Sequence, residues 1–251
     1  VLINREPSPV ETYNDIHGDV VNFFRVLREQ KDELIEAIGL TPFSRAEFEK
    51  AITEPTDRLS DLERARRFYV LARQVRTGLA QKASIGRWAH CLLTSRAGMA
   101  GAVSRWLGAV EDLPHIAQRL LRVQIENAPA IEVINRYDSE ETLFYCDPPY
   151  PHQSRGDANA YANEMTDNQH RELAEVLHKV KGKVALSSYK CSLMDELYGD
   201  WDFVEAKEKI IHSVKTTRTE VLWVNYKIEG GVECQTRQTH HRHTYHQQSL
   251  I

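Results

Sequence analysis

The 251-residue chain predicts an α/β fold carrying one long helical insertion, and three observations lead there. Short runs of β-branched and aromatic residues (10–13, 143–146, 184–188) are separated by stretches whose apolar residues recur at helical spacing. Across residues 31–120 that alternation stops, and the sequence reads as almost wholly helical. The apolar run 142–146 ends abruptly in Asp147-Pro148-Pro149-Tyr150, as a buried strand does when it meets residues that cannot continue a sheet.

Residues 1–30 open inside an element. A strand over 10–13 ends at Asn14-Asp15, and a helix follows from Asp19, with Val20, Val21, Phe24, Val26 and Leu27 at roughly helical spacing. An acid just past such a strand receives ribose hydroxyls in nucleotide-binding α/β units. The alternative is that Asp15 caps the helix that follows.

Residues 31–120 hold the local positive charge. A long helix is expected over 63–80. Between Arg58 and Arg105 there are ten arginines and lysines against only Asp61 and Glu63, although the whole chain carries a net charge of −4. Gly78, Gly86, Gly98 and Gly101 should break the later part into loops and short helices. Such a segment suits phosphate contact, with Arg66, Arg67, Arg73, Arg76, Lys82 and Arg87 as the candidates. A solvated helix face is the competing reading. Trp88 and Trp106 read as core anchors rather than base stackers.

Residues 121–228 return to α/β order. A strand over 123–127, a helix or turn over 129–137 and the strand 143–146 come first. The polar segment 151–163 is long for a compact domain and reads as a functional loop, with Arg155 and Tyr161 as its contacts. Thr166 caps a helix through Leu173, Ala174 and Leu177. A strand over 184–188 and a helix over 192–198 follow. Residues 210–211 and 221–224 are expected to pair antiparallel, with 215–218 as the exposed tip. The Gln-, Thr- and His-rich stretch 229–251 is expected to be disordered, its histidines no more than adventitious metal ligands.

Asp147-Pro148-Pro149-Tyr150 fits one task well, the holding of a planar base that bears an exocyclic amine. The Asp147 carboxylate accepts one amino hydrogen and the Pro148 carbonyl the other. The prolines carry no N–H to compete for those acceptors, and they restrict the backbone on both sides. Tyr150 offers a ring for stacking. The bland alternative is a strand-ending turn.

This tetrapeptide after a hydrophobic strand resembles the catalytic motif of the Dam-type DNA adenine N6-methyltransferases. The resemblance extends to residues 13–24 as the family's second strand and helix, 184–189 as the strand after the catalytic one, and 218–226 as the closing strand. It covers roughly residues 1–228 in the family's order. It implies a Rossmann-like S-adenosylmethionine-dependent core (1–30 and 121–228) with a helical target-recognition insertion (31–120). The implied reaction transfers a methyl group to N6 of an adenine flipped out of duplex DNA, without a metal. Asp147, Pro148, Pro149 and Tyr150 would be catalytic, and Asp15, Ile16, Asn127 and Asp147 would meet the cofactor. The family's Asp-Phe is replaced here by Glu126-Asn127, so either residue substitutes for that acid or the stretch is a plain turn. The family's opening aromatic-glycine-lysine segment and Phe-x-Gly-x-Gly loop are not found. The expectation is therefore a core lacking its first strand, with a weakened cofactor pocket. An RNA adenine methyltransferase and a non-catalytic DNA-binding remnant are the other functional readings.

The remaining composition is permissive. Cys91, Cys146, Cys191 and Cys234 are too scattered for a zinc signature or a disulfide framework, and suggest thiols in a reducing compartment. No signal peptide or membrane-spanning run is evident. The expectation is a cytoplasmic monomer, bacterial or phage-encoded, acting on duplex DNA with or without a cognate restriction endonuclease.

Overall fold

A computed structural model describes residues 2–76, 80, 83–155, 161, 163–206, 209–211 and 216–228, with backbone alone for 209–211 and 216–218. It forms two compact units, one ending at Pro129 and the other starting at Ala130. The expected disordered stretch 229–251, Cys234 and Lys82 lie outside the described residues.

The first unit runs β1 (Glu11–Asn14), α1 (Gly18–Glu29), α2 (Lys31–Gly39), α3 (Arg45–Thr53), α4 (Asp61–Gln74), β2 (Ser95–Arg96), β3 (Met99–Ala100), α5 (Gly101–Glu111), α6 (Leu113–Leu120) and β4 (Val123–Glu126). β1 and β4 pair in parallel, so Asn14 stands opposite Glu126 and both strands end together. The apolar stripe of α1 buries Val20, Phe23, Phe24 and Leu27 in a core shared with Leu34, Ile38, Tyr69, Trp106 and Leu113. α1 packs on α4 and α6. The strands and helices of this unit share one core.

A buried ion pair ties β1 to α6. The Arg119 guanidinium donates to both carboxylate oxygens of Glu11, at 2.6 and 2.7 Å. The Glu11 side chain is 3 % exposed, and its fork-to-fork contact with Arg119 holds the carboxyl below the usual range.

α4 starts where the Ser60 hydroxyl accepts the Glu63 N–H. It stops at Gln74, short of the expected 80, because Val75 is extended and bridges antiparallel to Trp88. The glycine-rich stretch that reads as loops contains a small hairpin, β2–β3, turned by Ala97 and Gly98 at φ 50° and 75°. Two adjacent left-handed residues make the tight turn that suits a two-residue hairpin loop.

The second unit contains α7 (Ala130–Tyr137), β5 (Leu143–Cys146), α8 (Asp167–Leu177), β6 (Lys183–Tyr189), α9 (Ser192–Tyr198), β7 (Asp202–Glu205), β8 (Lys209–Ile211), β9 (Thr216–Arg218) and β10 (Glu220–Val224). Four strands form one sheet in the order β5-β6-β10-β7. β5 and β6 run parallel, and β10 lies antiparallel between β6 and β7. This corrects the expected pairing of 210–211 with 221–224. β8 pairs instead with β9, and β10 enters the main sheet because Val221, Trp223 and Val224 have a core to fill. Leu173, Leu177, Val184, Leu186, Met194, Tyr198 and Trp223 form that core. α8 begins with a complete capping box, in which Thr166 and Gln169 satisfy each other's backbone N–H.

The register of β6 against β5 is set at Gly182. The Asp138 carboxylate receives the N–H groups of Lys181 and Gly182. A Cβ on Gly182 would stand 2.8 Å from the Thr142 carbonyl oxygen and 2.9 Å from that of Ser139. Only glycine fits there. On its other edge β5 has no partner among the described strands, and Leu143 and Tyr145 on one of its faces are 50 % and 44 % exposed. Among the described residues no helix is long and apolar enough to cross a membrane.

Candidate active site

Asp147 leaves the carboxyl end of β5. Cys146 pairs with Leu186, so the neighbouring strand continues past it as Ser187-Ser188-Tyr189. Both serines are buried, and a polar pair inside a buried strand needs partners. Ser187 finds one in Tyr150, whose hydroxyl lies 3.1 Å from its Oγ and also donates to Glu220 at 3.4 Å. The Tyr150 ring meets Tyr189 edge-on, with centroids 4.7 Å apart. Burial pushes the Tyr150 hydroxyl well above its ordinary pKa, so it stays a proton donor at any working pH.

The Asp147 carboxylate is open to solvent on one side, yet the protein around it removes enough hydration to raise its pKa above the usual carboxylate range. The Tyr150 hydroxyl opposes that shift by hydrogen bonding, and the charge of Glu220 adds to it. Among the described residues no backbone donor occupies the Pro148 carbonyl. His170 on α8 is 2 % exposed, burial lowers its pKa, and among the described residues its Nε2 has no hydrogen-bond partner.

In the first unit, the ends of β1 and β4 carry Asp15 and Asn127. Asp15 accepts the Tyr13 hydroxyl at 2.9 Å on Oδ2 and the His17 N–H at 2.8 Å on Oδ1. The Asn127 amide donates to the Asp15 carbonyl at 2.7 Å. Asp15 therefore braces the turn before α1, whose N-cap is His17 with no side-chain cap bond, so Asp15 is not the helix cap. Each carboxylate oxygen still has a lone pair for a ligand hydroxyl. Ile16 is 52 % exposed beside it.

The arginine candidates separate into two groups. Arg66 donates to Glu63 and Glu47 and to the Thr41 hydroxyl, and Arg67, its side chain 7 % exposed, donates to Glu63 and Glu54. These bonds fasten α4 to α3. Arg73 lies over the Tyr69 ring, 5.8 Å from its centroid. Arg76 and Arg87 are exposed, as are Arg96 on β2 and Arg105 on α5. Arg155 is paired with Glu164, and Tyr161 is half-buried against it. Trp106 is buried as a core anchor, and Trp88 is half-buried under Arg45 with its Nε1–H donated to Gln74. Ser187, Glu220, His170 and Glu164 were not singled out from the sequence. The one sequence signal for any of them is the Ser-Ser pair closing an otherwise apolar strand.

The family model of the D12 class N6 adenine-specific DNA methyltransferases matches residues 5–219. The chain belongs to that family. A comparison with curated proteins gave no significant match. This D12 methyltransferase is a site-specific enzyme that methylates N6 of adenine in DNA, with S-adenosylmethionine as methyl donor. The match spans both compact units, and within it the methyltransferase carries Asp147-Pro148-Pro149-Tyr150 at the end of β5.

Proposed function

We propose that Asp147 and the Pro148 carbonyl hold the two amino hydrogens of a flipped-out adenine and aim its nitrogen lone pair at the methyl donor. One observation carries this reading: a partly dehydrated carboxylate that solvent still reaches, beside a carbonyl that has no backbone donor among the described residues. A charge-assisted hydrogen bond strengthens in such surroundings. Alignment and fixed dipoles at that turn then supply much of the acceleration. Tyr150, anchored by Ser187 and Glu220, offers the base a ring that is already held in place.

S-adenosylmethionine, when bound, supplies a methyl group on a positively charged sulfur. The residues present suit it. Asp15 keeps acceptor capacity for ribose hydroxyls, with Ile16 and Asn127 beside it at the strand ends, and Asp147 provides negative charge. In this reading residues 1–30 and 121–228 form a Rossmann-like core and 31–120 a target-recognition insertion. The exposed Leu143 and Tyr145 beside the open edge of β5 support a further parallel strand there. Exposed Arg76, Arg87, Arg96 and Arg105 supply the phosphate contacts.

The test is single-turnover methylation of duplex DNA by Asp147→Ala. A loss of at least about a hundredfold is expected, with DNA affinity changed far less. A near-normal rate would remove Asp147 from the chemistry. Parallel assays on structured RNA should show DNA as the better substrate.

A further inference from the structure

One face of the β6–β10 pair gathers three side chains around Tyr150. Val221 and Trp223 of β10 enter the core of the second unit, as do Val184 and Leu186 of β6. Strand alternation then turns Glu220, Ser187 and Tyr189 to the opposite face. The register brings them together, with Glu220 opposite Tyr189 and Ser187 opposite Leu222. Tyr150 rests on this seat. Its hydroxyl is 3.1 Å from Ser187 Oγ and 3.4 Å from Glu220 Oε1, and its ring stands at 82° to that of Tyr189. The backbone at Glu220 is fixed from both sides. Its carbonyl accepts the Ala206 N–H at 2.8 Å, and the preceding Thr219 carbonyl accepts that of Lys190 at 3.0 Å.

The chemistry of the groups orders their hydrogen bonds. A carboxylate only accepts, so the single phenol hydrogen goes to Glu220. The Tyr150 oxygen is then an acceptor for Ser187, whose side chain is buried. The chain therefore runs one way, from the Ser187 O–H to Tyr150 and from the Tyr150 O–H to Glu220. Without an acceptor at 220 that sense is no longer imposed, because two hydroxyls can each serve the other. At 3.4 Å the bond to Glu220 is long, as hydrogen bonds at a reacting site often are before a substrate tightens them.

We propose that Glu220 is a positioning residue for methyl transfer, whose carboxylate takes the Tyr150 hydroxyl proton and, against Ser187, holds the ring that ends the Asp147-Pro148-Pro149-Tyr150 turn. Glu220 touches neither the base nor the methyl donor and acts through Tyr150 alone. Its loss therefore costs no more than loss of the Tyr150 hydroxyl. The inference rests on the stacking role proposed for Tyr150, and the experiment separates the two.

The experiment measures single-turnover methylation of duplex DNA, DNA affinity and melting temperature. The variants are Glu220→Gln, Glu220→Met, Tyr150→Phe, the double Tyr150→Phe with Glu220→Met, and Tyr150→Ala as reference. Gln and Met both match glutamate in length, and only Gln keeps an acceptor oxygen. Glu220→Met should slow methylation about threefold to tenfold, with DNA affinity unchanged, and Glu220→Gln should stay within about twofold of wild type. In the Tyr150→Phe background Glu220→Met should change nothing further, since two residues that act through one bond do not add. A wild-type rate in Glu220→Met beside a slow Tyr150→Phe overturns the proposal, because Ser187 alone would then hold the hydroxyl. Equal slowing by Glu220→Met with and without the phenol overturns it as well, and so does a Glu220→Gln as slow as Glu220→Met. If Glu220→Met melts early, Glu220→Asp repeats the cycle with the carboxylate withdrawn by one methylene. It should slow the wild type and leave Tyr150→Phe unchanged, and equal slowing in both backgrounds overturns the proposal. Equal rates in Tyr150→Ala and Tyr150→Phe would instead overturn the stacking role on which the inference rests.

Discussion

The Tyr150 hydroxyl and Ser187 Oγ stand 3.1 Å apart, so the ring that follows the proline pair is held by the neighbouring strand. β6 holds Ser187 in place through its antiparallel pairing with β10, where Ser187 stands opposite Leu222. The ring is thereby held before any ligand arrives, and if it stacks on a base this lowers the entropic cost of binding. Tyr150→Phe keeps the ring and loses both anchors. Its methylation rate should fall several-fold, and that of Tyr150→Ala by a further tenfold or more. Equal rates for the two variants in single-turnover assays would mean that the ring does not stack.

Asp147 predicts two opposite pH effects. Its pKa is raised, first by lost hydration, above the ordinary 3.8. The acid limb of the rate profile should therefore lie above the usual aspartate range, because only the ionised form accepts the amine's hydrogen. A carboxyl raised in the folded state contributes stability below its unfolded pKa and loses it as pH rises through the folded one. At pH 7 the charge is thus a net cost to folding. Asp147→Asn should melt at or above the wild-type temperature at neutral pH, with the difference closing in acid, while activity is lost. Thermal melts across pH check the sign.

The two groups of arginines should behave differently. Arg87→Ala should flatten the log–log salt dependence of DNA binding by about one unit if that exposed side chain meets a phosphate. Arg67→Ala should leave the slope unchanged and destabilise the first unit by about 1–2 kcal/mol, since Glu54, its partner, is half exposed. Salt titrations of binding, together with denaturant melts, separate the two effects.

Arg119→Met should cost roughly 2 kcal/mol at pH 7, because the nearly buried Glu11 carboxylate loses its partner and keeps only the Ser8 N–H. Glu11 is depressed below 4.5 in the folded protein, mainly by its hydrogen bonds from Arg119. Its contribution is present above that value and disappears as pH falls through the folded pKa. The gap between wild type and variant should therefore shrink below about pH 4.5. A gap that stays constant from pH 7 to pH 3 would assign the loss to packing alone.

Much of β5 and its turn was legible because local signals agree there: apolar and aromatic residues, a double proline stop, and a helix cap at Thr166. α9 falls at the expected 192–198. The arginines were harder to read. Along the stretch from Arg58 to Arg105 the charge is nearly unopposed, but Glu47 and Glu54, which bind Arg66 and Arg67, come from α3 and its C-cap outside that window. Charge balance in a fold is spatial, and a linear count misses it. The same holds for β10, whose apolar pattern says strand but cannot say which neighbour it takes. The β2–β3 hairpin was hidden because its two-residue strands are shorter than any period can reveal.

Gly182 has a genetic consequence. It directly precedes β6, and Ser187 stands five positions further on, within that strand. Any side chain at 182 must displace the Thr142 or Ser139 carbonyl, at the point where β6 begins to pair with β5. A screen for defective alleles should therefore recover substitutions at this position, with fold largely intact and methylation lost. An allele map drawn without the structure would then mark as essential a residue that has no functional group at all.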